Sequence, residues 1–281
     1  MQLHVLLLVL LAAIMHAAWN ALVKSGRDRV LTMALVTAVG SVVAAGGLPF
    51  VPLPARASWP FLLLSGVIHI GYYYFLLQAY RVGDLSHVYP VARGAAPLFV
   101  AVGAALFAAE PVSPRNVIAL AVVSVAIASF AFERAPAGGR DPRPFLYGLG
   151  TALIISAYTV VDGLGVRRSG HALAYIVWLL ALDGIPLTLY ALVTRRARIA
   201  PYVRAHWAAG LVGGLMAPAA YGLVVWALSS GGMAYVSALR ETSVVFAALI
   251  GSTVLREPFG ARRLFAAALV AVGIVVMNLG G

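Results

Sequence analysis

The chain has 281 residues, of which 62% are apolar and only 10% are charged, and its net charge is +11. A soluble domain of this length carries about 25% charged residues, so the composition excludes a water-soluble protein. Most Lys and Arg residues lie in short loops between apolar segments, which favours membrane topology over nucleic-acid binding as the origin of the positive charge. The chain has no cysteine, which excludes disulfide bonds and thiol chemistry.

Apolar segments of about 20 residues, long enough to cross a bilayer as helices, follow one another along the chain. The predicted spans 1 to 10 are residues 3–24, 31–51, 59–80, 85–109, 115–132, 144–165, 171–194, 206–229, 233–255 and 260–279. A cleavable signal peptide has positive charge before its apolar core, whereas Lys24, the first lysine, ends span 1. We therefore interpret span 1 as membrane-spanning and predict an all-α polytopic membrane protein with ten transmembrane helices.

Two parts of the chain resemble each other in sequence. Residues 91–127 align without a gap onto residues 238–274, and this alignment pairs Arg93 with Arg240 inside predicted spans. It also pairs two Glu-Pro sequences, which we interpret as helix-end features: Glu110-Pro111 and Glu257-Pro258. Matched apolar residues mean little in membrane helices, but a matched arginine within a span indicates an internal repeat.

The repeat divides the chain into two halves of five spans each. We predict a first five-helix repeat over residues 1–132, a linker over residues 133–143 and a second five-helix repeat over residues 144–281. Because five is an odd number, equivalent loops of the two halves lie on opposite sides of the membrane, as in the inverted repeats of many secondary transporters. Such proteins bind their substrate near the midplane, between the repeats, so a transporter is predicted.

Loop charges predict the orientation of the chain in the membrane. Alternate loops, beginning with the one after span 1, contain 14 Lys and Arg residues, whereas the remaining loops contain 4. Cytoplasmic loops carry the excess of Lys and Arg in membrane proteins, so the first set is expected in the cytoplasm. Both termini are then expected in the periplasm, with the chain in a bacterial inner membrane.

Two stretches carry a resemblance to a known family: YPVARGAAPLFVAVGAALFAAEPVS in the first half and LRETSVVFAALIGSTVLREPFGARRLFAAALVAVGI in the second. They resemble EamA-type members of the drug/metabolite transporter superfamily, in which two five-helix halves each have a fourth helix ending in Glu-Pro. The resemblance extends over essentially the whole chain, and similar members include YddG-type exporters of aromatic amino acids. It implies a central cavity lined by spans 1, 3, 4, 6, 8 and 9, and no cofactor. One difference is that Pro97, a proline common in the family, is matched by Val244 in the second half.

Span 9 contains two adjacent charged residues, Arg240 and Glu241, within an otherwise apolar segment. An ionisable residue at mid-bilayer costs about 2.5–3.5 kcal/mol on insertion scales and is rarely kept without a partner or a function. Adjacent helical residues do not face each other, so we expect the partners of both side chains on other helices or in a ligand. One interpretation is contact with the substrate or gating, and the alternative is a structural ion pair between the halves. The candidate pairs are Arg93–Glu241 and Arg240–Asp162.

The candidate substrate-binding residues share helix faces with one another or with these charges. Aromatic rings are expected to stack on an apolar side chain, and Arg93 or Arg240 to bind a carboxylate. Glu241 or Asp162 is expected to take an ammonium group or a coupling proton. The full set is His16, Trp19, Asn20, Tyr74, Gln78, Tyr89, Arg93, Tyr158, Asp162, Tyr221, Arg240 and Glu241.

Other polar and aromatic residues of the spans are placed outside this site. The residues interpreted as belts at the membrane interface are Trp59, Tyr72, Tyr73 and Tyr80. His69 is assigned to neither group. Asp183, followed one turn later by Pro186, is interpreted as the mark of a break in span 7, which the resemblance does not place at the cavity.

The predicted function is export of amino acids, aromatic or broadly hydrophobic, by alternating access through a central cavity. The sequence has no phosphate-binding loop, zinc-binding helix or cysteine metal site, so no enzyme activity, catalytic residue or metal is predicted. The partners expected are the small-molecule substrate and the lipid bilayer, without nucleic acid, and a monomer is compatible with the sequence. The alternatives are an organic-anion or phosphorylated-metabolite transporter, and a non-transporting membrane component such as a lipid-carrier flippase subunit.

Overall fold

The computed structural model describes residues 3–25, 28–82, 85–129 and 142–246, with positions 265, 268–270, 272–273 and 276. At residues 20–25, 79–82, 85–90, 128–129 and 144 it describes the backbone alone. Within these ranges the chain is helical and has no strand. The helices are α1 (Leu3–Ser25), α2 (Arg29–Gly47), α3 (Trp59–Val82), α4 (Leu85–Phe107), α5 (Pro114–Ser129), α6 (Arg143–Arg167), α7 (Ala172–Leu228) and α8 (Met233–Arg240).

The outer faces of the helices expose large apolar side chains. On α1 the exposed residues are Leu3, Leu7, Leu11 and Ile14, spaced three or four residues apart. Val9 and Ala12 of the same helix are buried against its neighbours. A row of exposed leucines at helical spacing would be unfavourable in water and is favourable in lipid, so this face of α1 is suited to the bilayer.

Helix α7 contains 57 residues and is interrupted twice. The backbone is non-helical at Arg195 and at His206, which divides α7 into stretches over residues 172–194, 196–205 and 207–228. A straight helix of this length would extend about 85 Å, nearly three times the hydrocarbon thickness of a bilayer. The first and last stretches correspond to predicted spans 7 and 8, and the arginine-rich middle stretch is their connection.

Four segments of the described residues are long and apolar enough by themselves to cross a membrane: Arg29–Phe50, Arg56–Gln78, Phe145–Arg167 and Ala172–Leu228. Helices α1, α4 and α5 contain shorter apolar segments. The predicted span 10 lies largely outside the described residues. Over the described residues, an all-helical structure with several apolar helices is therefore confirmed, and the count of ten spans in two inverted repeats stays a prediction.

Helices α2 and α7 pack closely because small residues lie between them. The Ser41 hydroxyl donates to the Leu180 carbonyl (2.8 Å) and accepts from the Gly184 N–H (2.9 Å). These two backbone groups are four residues apart in α7, so the hydroxyl of Ser41 bridges one turn of the neighbouring helix. Gly184 lies so close to α2 that a Cβ would overlap the Thr37 carbonyl and the Ser41 hydroxyl.

We expect Gly184→Ala to destabilise the protein by about 1–3 kcal/mol, because the added methyl group forces α2 and α7 apart. The matched control is Gly46→Ala in α2, where a Cβ meets no atom within 4 Å. Alanine at that helical position should keep or slightly raise stability. Thermal unfolding of the two purified variants in detergent checks the difference. Equal unfolding temperatures would contradict the close contact at Gly184.

Helices α4 and α8, which the internal sequence alignment pairs, differ in continuity. Helix α4 runs through Pro97 to Phe107, whereas α8 ends at Arg240. Residues 241–242 form a turn, and residues 243–246 are helical again. The Thr242 hydroxyl donates to the Leu239 carbonyl (2.7 Å) and so competes for a backbone acceptor of the last turn. The prediction of one continuous helix over span 9 is therefore wrong at residues 241–242, and the rest of span 9 after residue 246 lies outside the described residues.

Candidate functional site

A cavity of about 110 Å³ lies between the helices, with side chains from α1, α2, α3, α4, α6, α7 and α8 in its wall. The resemblance implied spans 1, 3, 4, 6, 8 and 9, so the structure adds α2 and the first stretch of α7 to this lining. The polar and aromatic lining residues are His16, Trp19, Thr37, Ser41, His69, Tyr72, Tyr73, Arg93, Tyr158, Asp183, Tyr221 and Arg240.

Three buried charges form a cluster at the cavity. Oε1 of Glu241 accepts from Arg93 Nη1 (3.1 Å) and from Nε and Nη2 of Arg240 (3.2 Å each). Arg93 and Arg240 are 4% and 3% exposed and line the cavity, whereas Glu241 is fully buried behind them. Two guanidinium groups share one carboxylate, so this cluster of three side chains has a charge of +1.

The structure corrects one expectation about these charges. Arg240 and Glu241 were expected not to face each other, because neighbours on a continuous helix diverge. Here α8 ends at Arg240, and the turn at Glu241 brings its carboxylate to the guanidinium of Arg240. Of the two structural pairs considered, Arg93–Glu241 is present and joins α4 to the end of α8. The carboxylate of Asp162 is instead hydrogen-bonded by two tyrosines, Tyr175 and Tyr221.

His16 of α1 connects the charged cluster to Trp19. Its Nε2 contacts Arg93 Nη2, and its Nδ1 lies 3.2 Å from the indole Nε1 of Trp19. A neutral imidazole accepts a hydrogen bond at only one of its nitrogens, and arginine and tryptophan are both donors. While it is neutral, His16 therefore accepts a hydrogen bond from one of these two groups at a time.

Asp162 supports the cavity wall from behind. Its Oδ1 accepts from the Tyr175 hydroxyl (3.0 Å), and its Oδ2 accepts from the Tyr221 hydroxyl (2.5 Å). Asp162 is fully buried and does not line the cavity, whereas Tyr221 does. The carboxylate thus holds the Tyr221 ring in position, and its predicted role as a direct substrate contact does not fit this placement.

A second acidic residue, Asp183 of α7, does line the cavity. Its Oδ2 accepts from the Tyr73 hydroxyl (2.9 Å), and its Oδ1 lies 3.9 Å from Nε2 of His69. Sequence reasoning left Asp183 outside the site and placed Tyr73 at the interface, whereas Tyr73 is 7% exposed and buried in the helix bundle. The signal that could have found Asp183 is its charge within an apolar span, since such a residue usually faces the bundle interior.

Aromatic rings line the wall of the cavity. His69 and Tyr158 are stacked, with ring centroids 4.5 Å apart and planes 22° apart. Tyr158 also contacts Tyr221 edge to face (5.6 Å) and Tyr72 edge to face (5.8 Å). Tyr72 lines the cavity, so its predicted place in an interfacial belt is wrong. Edge-to-face rings of this kind form a rigid apolar surface with a few hydroxyl groups.

The structure brings half of the predicted site residues to the cavity. Those that line it are His16, Trp19, Arg93, Tyr158, Tyr221 and Arg240. Glu241, Asp162 and Gln78 do not line it, and Tyr74 is 55% exposed on the outer face of α3. The side chains of Asn20 and Tyr89 lie outside the described part of the chain. Whether any of these residues binds substrate stays a prediction.

Glu110 positions the start of α8, and with it Arg240. Its Oε2 accepts from the Met233 N–H (2.8 Å), and its Oε1 pairs with Arg167. Arg167 also donates to the carbonyls of Leu228 (2.9 Å) and Gly231 (2.8 Å) at the end of α7. Glu110 thus caps a neighbouring helix and has the helix-end function that its Glu-Pro sequence indicated, while Glu257 lies outside the described residues.

Comparisons with known proteins agree with this architecture. Residues 143–279, which are 137 of the 281 residues, match the EamA-like transporter family. A solved structure described only as "Crystal structure of protein" has the same fold, with a TM-score of 0.77 and 19% sequence identity over 98% of this chain and 95% of that chain. No curated protein sequence matches the chain.

These findings differ in what they support. At 19% identity the solved structure shows the fold alone. The family match over residues 143–279, together with the apolar helices, supports a multi-pass membrane transporter. The match begins and ends close to the predicted second repeat, over residues 144–281, but the division into two repeats stays a prediction.

Proposed function

We propose that the chain is an EamA-type secondary transporter of the drug/metabolite superfamily that exports amino acids, aromatic or broadly hydrophobic, across a bacterial inner membrane. The observation that carries this proposal is a cavity that places two buried guanidinium groups beside a wall of aromatic rings. In the proposed topology, two inverted five-helix repeats enclose the cavity and both termini are periplasmic.

The charged cluster is suited to a carboxylate. Among the described residues, Arg93 and Arg240 both contact the carboxylate of Glu241, so these three side chains carry a net charge of +1. A buried net charge is costly in a low-dielectric environment, so a substrate carboxylate that adds a second negative charge is favoured. Arginine binds a carboxylate through paired N–H donors, which also orients the bound group.

The aromatic wall is suited to an apolar side chain. Tyr158 and Tyr221 have buried rings held by edge-to-face contacts, and Asp162 fixes the hydroxyl of Tyr221. A flat or branched apolar group that displaces water from such rings gains hydrophobic free energy of about 25 cal/mol per Å² of buried area. Phenylalanine, leucine and methionine side chains fit this surface better than a sugar or a second charged group.

The ion pair between the two halves supports alternating access. Arg93 belongs to the first predicted repeat, and Arg240 and Glu241 belong to the second, so the cluster crosses the boundary that must rearrange during transport. Substrate binding at the two arginines would weaken their contacts with Glu241. This provides a link between occupancy of the cavity and the relative position of the halves.

An organic-anion or phosphorylated-metabolite carrier is the second candidate function. It is favoured by the two arginines, which suit a phosphate as well as a carboxylate. The carboxylate of Asp183 in the same cavity disfavours it, because a dianion would meet a like charge there.

Efflux from proteoliposomes tests the proposed function. The liposomes are loaded in turn with labelled phenylalanine, methionine, threonine, glutamate or a sugar phosphate, with and without a pH gradient. We expect efflux of phenylalanine and methionine that is absent from protein-free liposomes, and dependence on the gradient would indicate proton coupling. Flux of the sugar phosphate alone would establish the second candidate instead. Absence of flux for every solute would favour a non-transporting component.

A further inference from the structure

An amino acid carries an ammonium group as well as a carboxylate, and both charges must be compensated inside the cavity. In the proposed function, the substrate carboxylate neutralises the net charge of +1 that Arg93, Arg240 and Glu241 carry together. The ammonium group then requires a negative side chain that is in the cavity wall and is not already neutralised.

The two acidic residues expected for this role are not available. Glu241 is fully buried, and its Oε1 accepts three hydrogen bonds from the two arginines. Asp162 is also fully buried, and each of its oxygens accepts from a tyrosine hydroxyl. Neither residue lines the cavity.

Asp183 has the placement that the other two lack. Its side chain lines the cavity and is 22% exposed, and the Tyr73 hydroxyl holds Oδ2 at 2.9 Å. Among the described residues, Oδ1 is buried and has no hydrogen-bond partner. The nearest cationic candidate, Nε2 of His69, is 3.9 Å away, which is beyond hydrogen-bond distance. One oxygen is thus held in place, while the other is a buried acceptor whose hydrogen-bonding capacity is unmet among the described residues.

The surrounding backbone explains why Asp183 is held in this position. The next residue, Gly184, donates its N–H to the Ser41 hydroxyl, which ties this turn of α7 to α2. A side chain larger than hydrogen at position 184 would not fit against α2. The carboxylate therefore lies on a segment whose approach to α2 is fixed by a bridging hydroxyl and a glycine.

We infer that Asp183 binds the ammonium group of the substrate, and that it makes the cavity selective for zwitterions over simple carboxylates. The inference rests on the proposed function. In this arrangement the substrate carboxylate lies at Arg93 and Arg240, the ammonium group lies at the carboxylate of Asp183, and the apolar side chain lies against the aromatic wall. An ammonium group supplies three donors, so it can bind this carboxylate and retain donors for a neighbouring hydroxyl or water.

Binding of three matched compounds to the purified protein in nanodiscs, measured by calorimetry, tests the inference. Phenylalanine has both charged groups, 3-phenylpropanoate lacks the ammonium group, and phenethylamine lacks the carboxylate. For the wild-type protein we expect phenylalanine to bind at least about tenfold more tightly than 3-phenylpropanoate, as a charge-assisted hydrogen bond in a buried site predicts.

The variant Asp183→Asn removes the negative charge at nearly constant shape. We expect it to weaken the binding of phenylalanine and of phenethylamine at least about tenfold. The affinity for 3-phenylpropanoate should change by less than about twofold. The matched control is Asp28→Asn, which lies outside the cavity. Asp28 accepts from the Leu31 N–H at the start of α2, and asparagine caps a helix equally well, so this control should leave all three affinities unchanged.

The outcomes separate the inference from the proposed function. Asp183 is not the ammonium site if the wild-type protein binds phenylalanine and 3-phenylpropanoate equally. The same holds if Asp183→Asn weakens the binding of all three compounds alike. Neither result contradicts the proposed function. If phenethylamine binds in an Asp183-dependent manner and phenylalanine does not bind, the ammonium site stands and the proposed function fails. Binding of none of the three overturns both. The wild-type comparison needs no variant, so equal binding of phenylalanine and 3-phenylpropanoate overturns the inference even where Asp183→Asn fails to fold.

Discussion

Replacing Glu241 by alanine is expected to destabilise the folded protein by about 3–5 kcal/mol, because it leaves two buried arginines without their shared carboxylate. Arg93 and Arg240 are 4% and 3% exposed, so water does not replace the lost partner. The two guanidinium groups would also repel each other, because each lies close to the position of the same Glu241 oxygen, at 3.1 Å for Arg93 and 3.2 Å for Arg240. The measurement is thermal unfolding in detergent, with gel filtration to follow loss of monodisperse protein.

A second substitution tests whether unpaired charge is the cause. The double variant Arg93→Met with Glu241→Ala leaves one arginine without the Glu241 carboxylate in place of two, so it should recover part of the lost stability. A double-mutant cycle with Arg93→Met alone isolates the coupling between the two side chains. The geometry of the three-residue cluster indicates that it stabilises the fold. If Glu241→Ala unfolds at the wild-type temperature, that interpretation is wrong.

Replacing Arg240 by alanine is expected to reduce amino-acid transport by about a hundredfold or more while the protein remains folded. The two effects separate because Arg93 still pairs with Glu241 at 3.1 Å, which leaves a neutral pair and not an unpaired charge. The +1 charge that attracts the substrate carboxylate is lost, and truncation of a buried charged contact costs about 2–5 kcal/mol in binding. Efflux from proteoliposomes, normalised to folded protein, measures the transport rate of the variant relative to that of the wild-type protein.

Two further variants make this prediction specific. Arg198→Ala removes a positive charge from the exposed middle stretch of α7 and should transport normally. Arg240→Lys keeps the charge without the planar pair of donors, so it should retain a fraction of the activity. Normal transport by Arg240→Ala would show that the charged cluster is only structural and that the carboxylate binds elsewhere.

Several features of the fold could be predicted from the sequence. The apolar segments predicted membrane helices, and the alignment of Arg93 with Arg240 predicted that the two arginines would approach the same cavity. The structure pairs Arg93 with Glu241, which is one of the two candidate pairs, whereas the contact of Arg240 with Glu241 was not predicted. These predictions succeeded because a charge within an apolar span is costly, so each such residue must meet a partner wherever the helices permit it.

The choice of helix faces could not be predicted in the same way. In α3 the sequence placed Tyr74 at the cavity and Tyr73 at the interface, and the structure reverses the two. Spans of this kind are apolar on all sides, since lipid and protein interior are both apolar. Hydrophobic periodicity, which identifies the buried face of a helix in water, therefore carries little information here.

By itself, the sequence determined that this chain lies in a membrane and that a few charged residues lie within apolar segments, among them the two arginines that the internal alignment pairs. Only the tertiary structure decided which side chains share the cavity. It moved Asp162 and Glu241 behind the wall, and it brought Asp183 of α7 into the cavity beside His69 of α3. The physical reason is that the cost of burying a charge is local and can be read from one segment, whereas a cavity is formed by packing between segments distant in the chain.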